Sequence, residues 1–561
     1  MDYKYIYNHW LNSKNIDVAT KKQLESIKDN DKEIKECFFR DLEFGTGGLR
    51  GVIGAGTNRI NRYTVRKATQ GYAEYIKKAG DDACRRGIVI AHDNRRFSKE
   101  FCFETASVLA ANGIRAYIFN SMRTTPELSY AVRYLDAFGG IVITASHNPP
   151  EYNGYKLYDE RGCQFVPRLT DAVLAEIQKI SDPLSVRLAT SEENATLITV
   201  LGDEIDESYY RAVASISLRS DIKKDIKIVY SPQHGTGNIP VRTLLERLGY
   251  RVIPVLEQCD PDPNFSNTQD PNPESEAAYV LANQYAAKYG ADIVITTDPD
   301  CDRLGVAVKC GNEFVRMTGN QSAAVLLEYI LSRKQEQGTL PENGVMFNTV
   351  VTSDIGDRIC ADYGISTEKT LTGFKFIGDK IYQHELAKDK TFVFGYEESY
   401  GCLIADFVRD KDAVQASVML CEAAAYYHAQ GKTLFDVLNQ LFEKYGFFVD
   451  ALDTVKFKGL EVHKKTTALM DAFRNNPIQE IAGIQVTEIQ DFCSDSMMKK
   501  GFPKSNVLKY IFEDGSWVAV RPSGTEPKCK FYFSAVAEDE EQANAKLHAM
   551  RKVFIDYTKR I

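Results

Sequence analysis

The chain has 561 residues, too many for one hydrophobic core when domains run to about 100–200 residues, so roughly three to five domains are expected. With 44% hydrophobic, 26% charged and 11% aromatic residues it has ordinary globular usage, which excludes a disordered chain. A formal net charge of −8 excludes a general nucleic-acid surface, and any anion site must then be locally cationic.

Twelve cysteines lie scattered, with no C-x-x-C pair, which excludes a disulfide framework or a zinc cluster and fits reduced thiols in a cytoplasm. The first ten residues lack a basic segment followed by an apolar one, and no later apolar run approaches the ~20 residues of a membrane span. A soluble, cytoplasmic protein with no membrane partner is expected.

Residues 1 to about 44 carry Leu24, Ile27, Ile34, Phe38 and Leu42 at spacings near three or four, which predicts a helical lead-in. Gly45-Thr46-Gly47-Gly48-Leu49-Arg50-Gly51 follows, a glycine-dense loop that reads as a phosphate cradle or as a flexible turn. It is not the dinucleotide fingerprint, because Arg50 stands at the last glycine position and no strand precedes it. From Ile88 the pattern alternates: strand to Ala91, helix Ser98 to Ala111, strand Arg115 to Phe119, helix Glu127 to Ala137, strand 140 to 144. Such β-α-β order implies a largely parallel sheet.

Ser146, in Thr144-Ala-Ser-His-Asn-Pro-Pro150, lies just past the last of these strands. In an open α/β sheet ligands bind at strand carboxyl ends, so the loop reads as a site or as a polar strand cap. A second alternating set runs from Ile226 to Thr296 and leads into Asp298-Pro-Asp300-Cys-Asp302-Arg303. In an extended segment, aspartates at i, i+2 and i+4 project from one face and can converge on a cation; a solvated acidic turn is the other reading. An EF-hand is excluded, since Arg303 and Lys309 occupy the positions of its glycine and glutamate.

A third set begins near Asn320 and includes Val345 to Thr349, Thr391 to Phe394 and a helix from Ala413 to His428. Within it, Gly395-Tyr396-Glu397-Glu398-Ser399 predicts Glu397 and Ser399 on one face, suited to neighbouring sugar hydroxyls, with an acidic turn as the alternative. The last hundred residues differ, with strands at Trp517 to Val520 and Lys530 to Val536 and a charged terminal helix, which predicts an α+β domain. Between those strands Arg521-Pro-Ser523-Gly524-Thr525-Glu-Pro-Lys528 gathers a guanidinium, hydroxyls, amides and an ammonium, a kit for a phosphate dianion. No Walker A motif is present.

Taken in order, T-A-S-H-N-P, D-P-D-x-D-R, G-x-E-E-S and R-P-S-G-T-E-P-K resemble the four active-site loops of the α-D-phosphohexomutases, in the long branch that holds phosphoglucomutases and phosphopentomutases. The resemblance covers nearly the whole chain. It implies an α/β fold of three tandem similar mixed α/β domains plus a smaller C-terminal α+β domain around a central cleft. The domains are expected at 1–210 (phosphoserine), 211–325 (metal), 326–450 (sugar) and 451–561 (phosphate).

The activity implied is interconversion of glucose 1-phosphate and glucose 6-phosphate through a phosphoserine and a bisphosphorylated sugar. Phosphopentomutase, acting on ribose or deoxyribose 1-phosphate, and glucose-1,6-bisphosphate synthase are the alternatives. A phosphatase would need no second phosphate grip, and a non-catalytic binder would be expected to lose Ser146 or an aspartate. By resemblance, Ser146 carries the phosphoryl group, and Asp298, Asp300 and Asp302 hold Mg²⁺ together with the Ser146 phosphate. His147 and Lys156 serve acid/base or phosphoryl contacts with Arg50, and Arg303 lies beside the group in transfer. Thr372, Gly373 and Lys375 form a specificity loop, Glu397 and Ser399 hold sugar hydroxyls, and Lys411 positions. Arg521, Ser523, Gly524, Thr525 and Lys528 grip the idle phosphate. The resemblance further implies glucose 1,6-bisphosphate as activator, a small phosphosugar as partner, and a monomer or dimer. Cys301 and Tyr396 depart from the usual pattern.

Overall fold

The computed structural model describes residues 2–45, 48–457, 462–523 and 528–559. Ile88 to Ala91 are fully buried in the strand Ile88–His92, as a run apolar on both faces requires in a sheet covered by helices on both sides. Ile88 and Ile90 pack with Phe101 and Leu109, whereas Val89 and Ala91 pack with Leu128 and Val132. Period two thus builds one helix layer on each face.

Four strands of this seven-stranded sheet, Gly139–Ile143, Ile88–His92, Ala116–Phe119 and Ile198–Leu201, are parallel. The remaining edge is antiparallel, formed by Tyr152–Asp159, Gly48–Val52 and Phe44–Gly45. Two expectations change here. The glycine-dense segment is partly a strand and not wholly a loop, with Thr46 and Gly47 outside the described residues. The segment after the two prolines is a further strand, which pairs Arg50 with Gly154 and Gly48 with Lys156. Glycine is required at position 48: its φ is +147°, and a Cβ would lie 2.0 Å from the Tyr155 carbonyl oxygen.

The second sheet places Ile293–Thr297, Lys227–Ser231 and Arg251–Pro254 in parallel, with an antiparallel hairpin Leu304–Cys310 and Glu313–Arg316 at its edge. The third repeats this plan: Ser366–Thr370, Gly344–Thr349 and Thr391–Glu397 are parallel and Gly401–Leu403 antiparallel. A six-stranded antiparallel sheet, Phe447–Lys456 to Lys528–Ala537, forms the last unit under the helices Val462–Asn475 and Glu540–Thr558. Three mixed α/β units and a fourth of α+β type are therefore the architecture.

The boundaries expected near 210, 325 and 450 fall inside the helices Glu204–Ala214 and Gly319–Glu336 and the strand Phe447–Lys456. One apolar core runs through the second and third units, from Ile228 and Ile295 to Phe347 and Phe394. The helix Ala413–His428 lies within it, with every residue buried except Tyr426 and His428, which is why its sequence is apolar all round. The fourth unit keeps a core of its own around Phe473, Phe531 and Phe554. Among the described residues no helix is long and apolar enough to cross a membrane.

Candidate active site

The strand Gly139–Ile143 delivers the Ser146 loop, and Ile293–Thr297 of the second unit delivers the aspartate loop opposite it. Ser146 is 3% exposed and adopts φ +53°, a left-handed conformation uncommon for a residue with a side chain. Its amide donates to Thr144 Oγ1 at 2.9 Å. Its hydroxyl donates to Asp298 Oδ2 at 2.7 Å and stands 3.2 Å from His147 Nδ1.

The aspartate segment is a turn and not the extended run expected from spacing. Cys301 takes φ +58°, and the amides of Asp302 and Arg303 donate to Asp298 Oδ1 at 3.1 and 3.0 Å. The turn, not strand alternation, brings the three carboxylates together, with ligand oxygens all within 4.8 Å of one another. Asp298 and Asp300 are fully buried and Asp302 is 3% exposed, while Asp300 Oδ1 and Asp302 Oδ1 have no hydrogen-bond partner among the described residues. Buried, unpaired carboxylate oxygens fit a hard divalent cation such as Mg²⁺.

Two lysines offset this charge. Lys156, on the unforeseen strand Tyr152–Asp159, places Nζ 2.7 Å from Asp300 Oδ2, and Lys411 places its own 3.1 Å from Asp302 Oδ2. Burial, and then repulsion from Asp300 and Asp302, push the Asp298 carboxyl well up. Burial would raise Asp300 also, but Lys156 holds it down. Burial, followed by the Arg303 and Arg50 guanidiniums, pushes His147 well below the usual imidazole range, so it is neutral at pH 7. Arg50 donates to Asn148 Oδ1 at 3.0 Å and so borders the same loop.

Glu397 lies 5% exposed at the end of Thr391–Glu397, where its Oε1 accepts from the Gly373 amide at 2.8 Å. It thereby fastens the 372–375 turn to the sugar loop. The Thr372 hydroxyl is buried without a partner among the described residues. Burial lowers the Lys375 ammonium to about 8. Ser399 is half-buried in the turn beyond Glu397, whereas Glu398 points away to Thr349 and Thr352, and burial, with Glu397 beside it, raises it to about 7. Tyr396 is fully buried against Gly356, and Cys301 lies under the aspartate turn against Gly237. Neither departure from the family pattern therefore faces the cleft.

Arg521, Ser523 and Lys528 stand apart from this cluster. They border a cavity of about 740 Å³ shared with Leu42, Phe44 and Leu49 of the first unit, and the Ser523 amide closes the loop on the Lys528 carbonyl at 2.9 Å. Leu49 faces this cavity while Arg50, its neighbour on the strand, bonds Asn148, so the cavity lies across the hairpin from Ser146. Gly524 and Thr525 lie outside the described residues.

Three residues that sequence reasoning did not select join the site. Arg95 donates to the carbonyls of the Ser146 loop, Thr125 Oγ1 donates to Asp300 Oδ2 at 3.0 Å, and Glu274 pairs with Arg303. The only signal was the polar run His92-Asp-Asn-Arg95 at a strand end; Thr125 begins a helix, and Glu274 sits in a proline-rich loop far from the motif it serves.

A serine hydroxyl on three carboxylates, ringed by lysines and arginines where α/β units meet, is the equipment of a phosphotransferase working through a serine. The chain belongs to the phosphoglucomutase/phosphomannomutase family: its alpha/beta/alpha domains I, II and III match residues 41–183, 207–311 and 318–445, and its C-terminal domain matches 466–552. A phosphoglucomutase of Staphylococcus aureus (strain MRSA252) is 38% identical over 531 residues, 93% of this chain and 94% of the relative. Among solved structures, the open form of pp63/parafusin from Paramecium superposes with a TM-score of 0.69 at 18% identity, covering 92% of this chain and 95% of that one. A phosphoglucomutase/phosphomannomutase family protein from Burkholderia thailandensis gives 0.68 at 19%, covering 92% and 97%. These two likenesses speak to the fold.

Proposed function

We propose that the protein interconverts glucose 1-phosphate and glucose 6-phosphate through phosphoserine 146 and a glucose 1,6-bisphosphate intermediate. The observation that carries this is the Ser146 hydroxyl 2.7 Å from a buried three-aspartate cluster. Asp298, Asp300 and Asp302 would hold Mg²⁺, which supplies charge neutralisation at the phosphoryl oxygens when bound. In the forward half-reaction the bond from phosphorus to Ser146 Oγ breaks as a bond to the sugar hydroxyl oxygen forms. The attacking hydroxyl loses its proton and the departing Ser146 Oγ gains one: His147, 3.2 Å from Oγ on the leaving-group side, would protonate Oγ and be restored by the proton released from the sugar, while Lys156 and Arg303 stay charged and stabilise the oxygens in transfer.

The bisphosphate then turns, and its other phosphate returns to Ser146: Oγ gives its proton to His147 as it attacks, and the departing sugar oxygen takes one up as a hydroxyl. Glu397 and Ser399 would hold sugar hydroxyls against the 372–375 turn, Lys411 would keep Asp302 in place, and Arg521, Ser523 and Lys528 would grip the idle phosphate. Glucose 1,6-bisphosphate would serve as the activator that loads Ser146. All twelve cysteines are unpaired thiols, which supports a cytoplasmic setting.

The test supplies Mg²⁺, a trace of glucose 1,6-bisphosphate and, separately, glucose, mannose, ribose and deoxyribose 1-phosphates. The highest kcat/KM is expected with glucose; a ribose or deoxyribose preference would make the protein a phosphopentomutase, and no isomerisation of any sugar would refute a mutase. Ser146→Ala is expected to abolish turnover and the phosphoryl mass on the purified protein.

A further inference from the structure

We propose that Arg95 is the positioning residue of the phosphoryl carrier: its guanidinium gathers the carbonyls of the Ser146 loop and, through Phe265, registers that loop against the aspartate unit. The inference rests on Ser146 being the carrier. Arg95 Nη2 donates to the carbonyls of Ser146 and Asn148, both at 2.5 Å, and Nη1 to those of Pro149 and Tyr152 at 2.8 and 3.0 Å. Nε lies 3.2 Å from Asp93 Oδ2, and both side chains are fully buried. One planar fork thus draws in carbonyls from four residues of a single loop.

The consequence is directional. With the carbonyls of Ser146, Asn148, Pro149 and Tyr152 turned toward one cation, the Ser146 hydroxyl is left to meet Asp298. The φ of +53° at Ser146 is a conformation a serine keeps only when its surroundings hold it, and Arg95 grips that residue's own carbonyl. A lysine could not replace this grip, because a single ammonium cannot span two pairs of acceptors.

The second half of the device crosses between units. The Arg95 guanidinium lies 5.1 Å from the ring centroid of Phe265, which is 3% exposed and itself at φ +52°. On either side, Asn94 donates to the Asp262 carbonyl at 3.0 Å and Arg96 bonds Asn264. Three consecutive side chains of the serine unit therefore meet one short segment of the metal unit, and the 2.7 Å separation between Ser146 and Asp298 spans the same junction.

The experiment compares Arg95→Lys, Phe265→Leu and Ser146→Ala as full-length proteins, reading kcat, KM, thermal midpoint and the ³¹P resonance of the phosphoserine. Arg95→Lys is expected to lose about 100-fold in kcat, the scale for a reacting group displaced by about 1 Å, with KM changed less than about threefold and the ³¹P signal shifted or broadened. Phe265→Leu, which leaves the buried ion pair intact, is expected to lose about tenfold in kcat with the same spectral change, and decides the matter should Arg95→Lys not fold. Either folded variant with wild-type kcat and ³¹P signal, or with a loss confined to KM or matched by its unfolded fraction, overturns the inference. A Ser146→Ala protein that still turns over sinks the carrier reading itself; an inactive one beside a wild-type-like Arg95→Lys sinks this inference alone.

Discussion

Glu274→Ala tests whether the arginine beside the aspartates must be aimed. Arg303 pairs through Nη1 with Glu274, its Nε is buried without a hydrogen-bond partner among the described residues, and the Asp302 carboxylate is 3.8 Å away, too far for a bond. Its side chain is 18% exposed and that of Glu274 29%, so the pair is partly screened from water. A hydrogen bond to a charged group contributes about 1.5–3 kcal/mol, and without it the guanidinium has nothing else fixing its angle. At about 1.4 kcal/mol per tenfold, Glu274→Ala should lower kcat by roughly 10- to 100-fold. Glu274→Gln keeps the shape and a neutral acceptor, so its loss should be smaller. Initial rates of glucose 1-phosphate isomerisation at saturating Mg²⁺ measure both. A Glu274→Ala enzyme within about threefold of wild-type kcat, or one whose loss lies in KM alone, refutes the reasoning.

Two further predictions concern charge. Lys509 is 4% exposed, lies 4.1 Å from the Trp517 ring centroid, and is lowered by burial from 10.5 to about 8. Below pH 8 it is charged in both folded and unfolded chains and its burial opposes folding in full; between pH 8 and 10.5 the folded chain sheds the proton first, so stability rises with pH. At about 1.36 kcal/mol per unit, Lys509→Met should stabilise the protein at pH 7 by at most about 3 kcal/mol and flatten that rise, as urea unfolding at pH 7 and 10 will show; a less stable variant at pH 7 counts against it. Exhaustive chelation should abolish turnover, and Mg²⁺ should restore it, while the apo protein stays folded because Lys156 and Lys411 neutralise the aspartates. Full activity after chelation, or unfolding on metal removal, would contradict this.

The strands that the sequence displays clearly are those buried on both faces. Ile88 to Ala91 and Ile293 to Ile295 have nothing polar to blur them. Tyr152–Asp159 was illegible because it is a working strand: Asn153 donates to the Arg96 carbonyl, Lys156 reaches the aspartates and Tyr158 reaches Asp410, so polar letters stand where a period-two pattern would need apolar ones. The aspartates were legible as a cluster, yet the reason they converge was not. A left-handed Cys301 is invisible to spacing, since nothing in a cysteine announces φ +58°. Arg95 and Glu274 escaped because each acts on a motif distant in the chain, and only packing brings them near.

The separation of cores bears on how a bisphosphate could turn without leaving. Ser146 and the aspartates are held together by Thr125 on Asp300 and by Arg95 on Phe265, and the sugar loop rides on the core that the second and third units share. Shifting any of these three units against another would tear apolar packing or buried hydrogen bonds. The fourth unit has a core around Phe473 and Phe554, but its Phe448 and Val536 join the core of the second and third units. It meets the third unit through a smaller cluster in which Val350, Val351 and Leu371 face Phe492, Val507 and Trp517. Asn320 Nδ2 of the third unit also donates to Asp450 Oδ2 of the fourth at 2.9 Å, a bond that any shift between them would have to break. Lys509 lies against Trp517 beside this seam. The same unit carries Arg521 and Lys528, so under the proposed mechanism a turning bisphosphate requires either that this joint open or that the clamp accept both phosphates in place.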